Sequence, residues 1–210
     1  TGAVAITAAT TTNIADTNGD ITLYGTATSQ TGTTVKTITS GDITVNGTLE
    51  TKDQNGEDND AKVGDVQVLA AKGNITLTNT GNDVVNSSKA ALVQTSEGNI
   101  DVTGNVIGAT TATLDGQKGH VSLTGDLTAN NGLAKIAASD SEADNPQNAD
   151  TVGDITVKGN VTSAKAGVEI STSNGDIALG TDTPSTGAVA ITAATTTNIA
   201  DTNGDITLYG

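Results

Sequence analysis

The sequence has no Cys, Met, Trp, Phe or Arg, and only two Tyr, two Pro and one His among 210 residues. Each shortage removes a class of function. Without Cys there is no disulfide framework and no thiol chemistry, a composition that suits a secreted chain and a cytosolic one alike. Without Arg and aromatic side chains there are few groups to stack on sugars or bases, and any core must be aliphatic and thin. Nine Lys stand against 24 Asp and Glu, for a net charge of −15, which removes the electrostatic basis of nucleic-acid binding and disfavours anionic membranes. No apolar run approaches the roughly 18 residues of a transmembrane helix. The opening Thr1-Gly2-Ala3-Val4 is neither a start Met nor a signal peptide, so the chain reads as a segment of a longer one.

Ile, Leu and Val make up about a fifth of the residues, which with the net charge lies close to a disordered composition. Order in the sequence argues against disorder. Residues 1–25, TGAVAITAATTTNIADTNGDITLYG, recur unchanged as residues 186–210, an offset of 185. Inside that period a shorter motif recurs: a Gly, a polar residue, then two aliphatics one residue apart. Its copies begin at Gly19, Gly41, Gly73, Gly98, Gly119, Gly153, Gly175 and Gly204, spaced 21 to 34 residues apart. A low apolar content with strict periodicity is the mark of a repeat architecture.

The shortest units show the plan. In 153–174, Ile155 and Val157 form one strand, Val161 opens a second, and Val168 and Ile170 make a third before the next Gly. Val66 and Val68 stand at the third-strand positions of their unit, which turns the longer units into ordinary ones carrying one insertion each. The insertions, residues 52–62 (KDQNGEDNDAK) and 140–151 (DSEADNPQNADT), are acidic, lack large apolar side chains and read as surface loops.

Three short strands per unit, separated by Gly, Asn and Asp turns, predict one coil of a parallel β-helix, an all-β solenoid. Alternation puts Ile155 and Val157 on one face and Asp154, Thr156 and Lys158 on the other. Stacked coils then lay Ile21, Ile43, Ile75, Ile100, Val121, Ile155 and Ile177 in one internal column, with Leu23, Val45, Leu77, Val102, Leu123, Val157 and Leu179 beside it. About six inward positions per coil are enough, which explains how so few apolar residues suffice. Asn18-Gly19, Asn174-Gly175 and Asn203-Gly204 are expected to supply positive φ at the corners. Residues 1–210 are thus one continuous solenoid, and 19–203 one long repeat of seven coils, rising roughly 34 Å at about 4.8 Å per coil. The rival fold, a string of β-sandwiches joined by Asn-Gly hairpins, does not explain why the same five-residue motif recurs in every unit.

The recurring Gly-[Asp/Asn]-Ile-Thr-[Leu/Val] strand, followed by a Gly-Asn-Val-type strand and a third aliphatic strand, resembles the filamentous haemagglutinin-type repeats of bacterial two-partner-secretion exoproteins and related giant adhesins. The resemblance covers the chain outside its two acidic insertions. It implies a right-handed β-helix, export across a Gram-negative outer membrane to the cell surface, and service as an adhesive filament or as the shaft beneath a distal binding or toxin domain. It brings structural positions and no catalytic residue.

Four features are candidate sites. Asp53, Asn55, Glu57, Asp58 and Asp60 surround Gly56 with hard oxygen ligands of the kind calcium takes, although the spacing matches no EF-hand, and a solvated acidic loop is the competing reading. The residues after the motif glycines, Asp20, Asp42, Asn74, Asn99, His120, Asp154, Asp176 and Asp205, fall in one column; like charges so stacked repel unless cations bridge them or each carboxylate bonds its own corner, the usual habit of Asp and Asn at turns. His120, with no convergent partner in prospect, reads as a surface turn residue. Thr22, Thr44, Thr76, Thr156 and Thr207 form an outward row one residue wide, broken by Asp101, Ser122 and Ala178, too irregular for an ice-binding array.

Polysaccharide-acting enzymes also use β-helices, but they need paired carboxylates in a cleft and commonly Arg, Lys and aromatic platforms, and here the only aromatics are Tyr24 and its copy Tyr209. The expected function is therefore non-catalytic. Its expected partners are adjacent copies of the repeat, end to end or laterally in fibres. The expected location is extracellular, on a bacterial cell surface. Calcium in the first insertion is the one cofactor in view, and with it an alternative role as an adhesive module.

Overall fold

The computed structural model describes residues 3–52, 64–139, 153–181 and 189–209. Both acidic insertions, apart from Lys52, lie outside these residues, and so do all five calcium candidates, Asp53, Asn55, Glu57, Asp58 and Asp60. Among the described residues there are only strands, gathered into a 13-stranded and an eight-stranded sheet in which every strand pairing is parallel. No helix is present there to cross a membrane. This is the layered, parallel all-β arrangement of a solenoid.

The first strand of each unit pairs with the first strand of the next, and the expected columns form. Ile21 stands beside Ile43, then Ile75, Ile100, Val121, Ile155, Ile177 and Ile206. The second strands share that sheet. In Ile21–Ser29, Ile75–Ser87 and Ile100–Gly108 the first and second strands fuse into one. Third strands make the other sheet, and Val66 joins Val168 in it through Ala91, Ala112 and Ala134. The extra length near Gly64 is therefore an insertion within a unit. Inward residues alternate with outward ones as the pleat requires, giving one core in which Ile43, Ile75, Leu77, Ile100, Leu114, Leu123, Ile136, Ile155 and Ile170 are fully buried. Burying each such side chain stabilises the fold by about 1.5–3 kcal/mol relative to leaving it exposed.

The core is less purely aliphatic than the alternation suggests. Ser29, Thr33, Thr37, Thr51, Ser87, Thr95, Ser163 and Thr172 also point inward and are buried. A buried hydroxyl without a partner is costly, and these find theirs in corner backbone. Thr37 Oγ1 donates to Gly41 O at 3.1 Å, Thr95 Oγ1 to Gly73 O at 2.9 Å and Ser163 Oγ to Gly132 O at 2.8 Å.

The expectation of positive φ at the corners is met in part. Asn174, with φ 60°, supplies it for Asn174-Gly175 and is the only non-Gly described residue there; Gly19 and Gly204 are not among the positive-φ glycines, whereas the motif glycines Gly41, Gly73, Gly98 and Gly153 are. The corner also demands close approach. A Cβ on Gly73 would stand 2.2 Å from Gly41 O, and one on Gly119 would stand 2.0 Å from Gly98 O. The glycines thus stack on one another's carbonyls, and any side chain there would force the layers apart.

Candidate functional site: the corner ladders and the His120 hollow

The polar column beside the stacked glycines is organised by hydrogen bonds between layers, not within each corner as expected. Asp20 Oδ1 accepts from Asp42 N–H at 2.9 Å, Asp42 Oδ1 from Asn74 N–H at 2.7 Å, Asn74 Oδ1 from Asn99 N–H at 2.9 Å and Asn99 Oδ1 from His120 N–H at 3.1 Å. Beyond His120 the pattern resumes: Asp154 Oδ1 accepts from Asp176 N–H and Asp176 Oδ1 from Asp205 N–H, both at 2.8 Å. Each side-chain oxygen reaches one layer forward because the extended corner aims the next N–H at it. Charge-assisted bonds of this kind offset part of the repulsion of stacked carboxylates. Among the described residues, no three His, Asp or Glu side chains converge as a metal site.

A second ladder, not anticipated, runs along the corner before the second strand. Asn105 Oδ1 accepts from Asp126 N–H at 3.1 Å, Asp126 Oδ1 from Asn160 N–H at 2.7 Å, and Asn160 Oδ1 from Ala190 N–H at 3.0 Å. Its signal was in the sequence, in the pairs Gly104-Asn105, Gly125-Asp126 and Gly159-Asn160. At the same corner as the first ladder, one residue before the stacked glycines, an ion-pair stack does similar work. Glu97 lies 3.1 Å from Lys72 Nζ and 3.5 Å from Lys118 Nζ. The hydrogen bond from the Lys72 ammonium, with its charge and that of Lys118, holds the Glu97 carboxyl below the usual range.

His120 does have a partner, contrary to expectation. It occupies the ladder position, but its ring turns sideways and places Nε2 3.2 Å from Asp101 Oδ1. A carboxylate only accepts, so Nε2 carries the hydrogen. Spacing along the chain concealed the pair, because Asp101 belongs to the preceding layer. The pair borders an open hollow lined also by Ser122, Asp154, Thr156 and Lys158. It can orient an imidazole; Ser122 makes no side-chain hydrogen bond to it that would mark an activated nucleophile.

The outward Thr row is continuous in register from Thr22 through Thr44 and Thr76 to Asp101, Ser122, Thr156, Ala178 and Thr207. It is wider than expected in its middle, where Thr78, Thr103 and Thr124 form a second row alongside. Asp101 and Lys158 put charges into both rows, so neither presents the uniform lattice that an ice surface would match. In comparisons with known proteins, the chain matches no family model, no curated protein and no solved structure.

Proposed function

We propose that this chain is a structural repeat segment of a long extracellular filament or adhesin shaft on a bacterial cell surface, non-catalytic, built as a right-handed parallel β-helix of about seven coils per 185-residue repeat. The observation that carries the reading is the identity of residues 1–25 and 186–210 together with their equivalent places in the stack. Ile6 and Ile191 both lie in second strands, Ile14 and Ile199 in third strands, and Ile21 and Ile206 in one first-strand column. A sequence that returns to the same position after 185 residues can be joined to its own copy without altering the cross-section. Side chains committed to columns, ladders and stacked glycines leave the insertions as the places for a ligand.

Electron microscopy of the intact parent protein tests this. The expected image is a smooth rod lengthening by roughly 34 Å per 185-residue repeat, from about 4.8 Å per layer; compact particles or beads on a string would overturn it. A glycan-degradation screen yielding reducing sugar or unsaturated product would overturn the non-catalytic reading. The shaft itself needs no cofactor. Calcium held by Asp53, Asn55, Glu57, Asp58 and Asp60 is a separate proposal, for an adhesive module, and calorimetric titration showing neither heat nor a change in melting temperature would remove it.

A further inference from the structure

We infer that Asn131 is a self-modifying site: its carboxamide and the Gly132 amide close on one another, release ammonia and leave aspartate or isoaspartate at position 131. The inference does not rest on the shaft reading.

The chemistry needs only water. Gly132 N gives its proton to solvent base and attacks Asn131 Cγ; the bond from Cγ to Nδ2 breaks, ammonia leaves and a succinimide ring closes. Water then adds to one of the two ring carbonyls, and the ring opens to aspartate or isoaspartate with no oxidant, reductant or enzyme. Asn followed by Gly suits this step, because a residue without Cβ lets its nitrogen approach the neighbouring side chain. The fold decides which such pairs react, since the nitrogen must be free of its hydrogen bond and carries negative charge as it attacks.

Five Asn-Gly pairs lie among the described residues, at Asn18, Asn46, Asn131, Asn174 and Asn203. Four are restrained. Gly19 N–H donates to Asp16 Oδ1 at 2.7 Å, and Gly47 N–H to Thr78 O at 3.0 Å. Gly175 is buried, with Gly153 so close that a Cβ would stand 2.3 Å from its carbonyl carbon. Gly204 is crowded by two carboxylates, since a Cβ there would stand 2.7 Å from Asp201 Oδ2 and 2.8 Å from Asp176 Oδ1, and nearby negative charge opposes another.

The fifth pair is open. Asn131 is exposed, and Gly132 N–H has no partner among the described residues. The atoms that a Cβ on Gly132 would meet belong to Thr110 and Thr111, not to a carboxylate. A single difference between layers frees this N–H. Ser29 Oγ accepts from Gly32 N–H at 3.3 Å, and Ser163 Oγ from Ala166 N–H at 3.0 Å. In the layer of Asn131 that place is taken by Ala129, which pairs in register with Ser163 and has no hydroxyl. Ala134 then pairs with Val168, so the two corners are equally long and Asn131 lies level with Lys165, whose ammonium favours the attacking anion. The one restraint is Asn131 Nδ2 donating to Ala109 O at 2.8 Å, a neutral bond at an exposed corner. Conversion puts a carboxylate level with Lys165 and, as isoaspartate, one extra main-chain atom into the corner that leads to Ala134–Ser139.

The test holds the full chain in mildly alkaline buffer, samples it over time and maps each Asn by mass spectrometry of tryptic peptides, with isoaspartate read by enzymatic carboxyl methylation. Asn131 should convert at least about fivefold faster than Asn18, Asn46, Asn174 or Asn203, the factor that one hydrogen bond is worth. Ala129→Ser should slow Asn131 by a similar factor while the other sites and the melting temperature stay as they were. In denaturant the ranking should vanish. Asn131 converting no faster than Asn18 or Asn46 in the folded chain would overturn the inference, and so would an unchanged rate in a folded Ala129→Ser chain. A ranking that persists in denaturant would also overturn it, because sequence neighbours and not the fold would then set the rates. Should Ala129→Ser fail to fold, the comparison of folded with denatured parent chain decides alone.

Discussion

Residues 1–25 and 186–210 are one sequence in two settings, and they differ in the ways that neighbours dictate. Ile21 and Leu23 are 8% and 6% exposed, whereas Ile206 and Leu208 are 44% and 65% exposed. Val4–Ala8 and Thr11–Asp16 have five and six residues in strand; their counterparts Ile191–Ala193 and Thr197–Asp201 have three and five. What survives in both settings is local. Asp16 Oδ1 accepts from Asn18 N–H at 3.0 Å, and Asp201 Oδ1 from Asn203 N–H at 3.1 Å, because the turn supplies its own partners. What changes is everything a layer must receive from outside itself. Thr12 shows the point within the first copy: its hydroxyl is buried without a partner, while Thr33 beside it bonds Ser29 Oγ and Glu50 O. Ala8 stands where the next layer has Ser29.

The comparison can be broken at the glycines first. Gly73→Ala should cost about 3–4 kcal/mol, since its Cβ meets the backbone oxygen of Gly41 at a φ of +144°. Gly19→Ala meets only the movable Asp16 carboxylate, at 3.1 Å, and should cost less than about 1 kcal/mol. Denaturant melts of the two variants read the difference, and equal losses would refute the stacking role.

Truncating one column position at three depths gives a graded series. Ile100→Ala, fully buried, should lose about 3–4 kcal/mol, Ile21→Ala about 2–3, and Ile206→Ala less than about 1. A flat series in thermal unfolding would mean that burial does not set the energy.

The ladder should show the same gradient on a smaller scale. Asp42→Ala removes the acceptor for Asn74 N–H and should cost about 1 kcal/mol, while in this 210-residue chain Asp205→Ala, which keeps its backbone N–H bond to Asp176 Oδ1, should stay within about 0.5 kcal/mol. Hydrogen exchange at the Asn74 amide should quicken in the first variant only.

The smallest effect concerns acid. Glu97 has a lowered folded-state pKa, so its contribution is present above its ordinary value of about 4.3 and is lost as pH falls through the lower folded value. The melting-temperature gap between the parent chain and Glu97→Gln should hold steady above that ordinary value and close below it. A gap unchanged across the acid range would show that the Lys72–Glu97–Lys118 stack carries no linked charge.

Much of the architecture could be read from residue order. The Ile and Leu columns follow from the motif, and Val66 and Val68 fall in their third strand because spacing to the next Gly is itself a structural ruler. Other features escaped because they join residues of different layers. The His120–Asp101 pair, the forward reach of Asp42 to Asn74 and the Thr78–Thr103–Thr124 row are contacts between coils, and position along one coil does not reveal them. The close approach at the motif glycines escaped for the same reason: that constraint comes from the glycine in the layer before.

The sequence that opened as a set of shortages, without Cys, Arg, Phe, Trp or Met, determined by itself the period of 185 residues, the strand phases and which side chains face inward, since alternation and turn chemistry are local. Only the tertiary structure decided which of those inward residues are buried, which polar side chains meet and in which direction the ladders run. Those properties belong to the interface between successive layers, and position along a single layer does not reveal them.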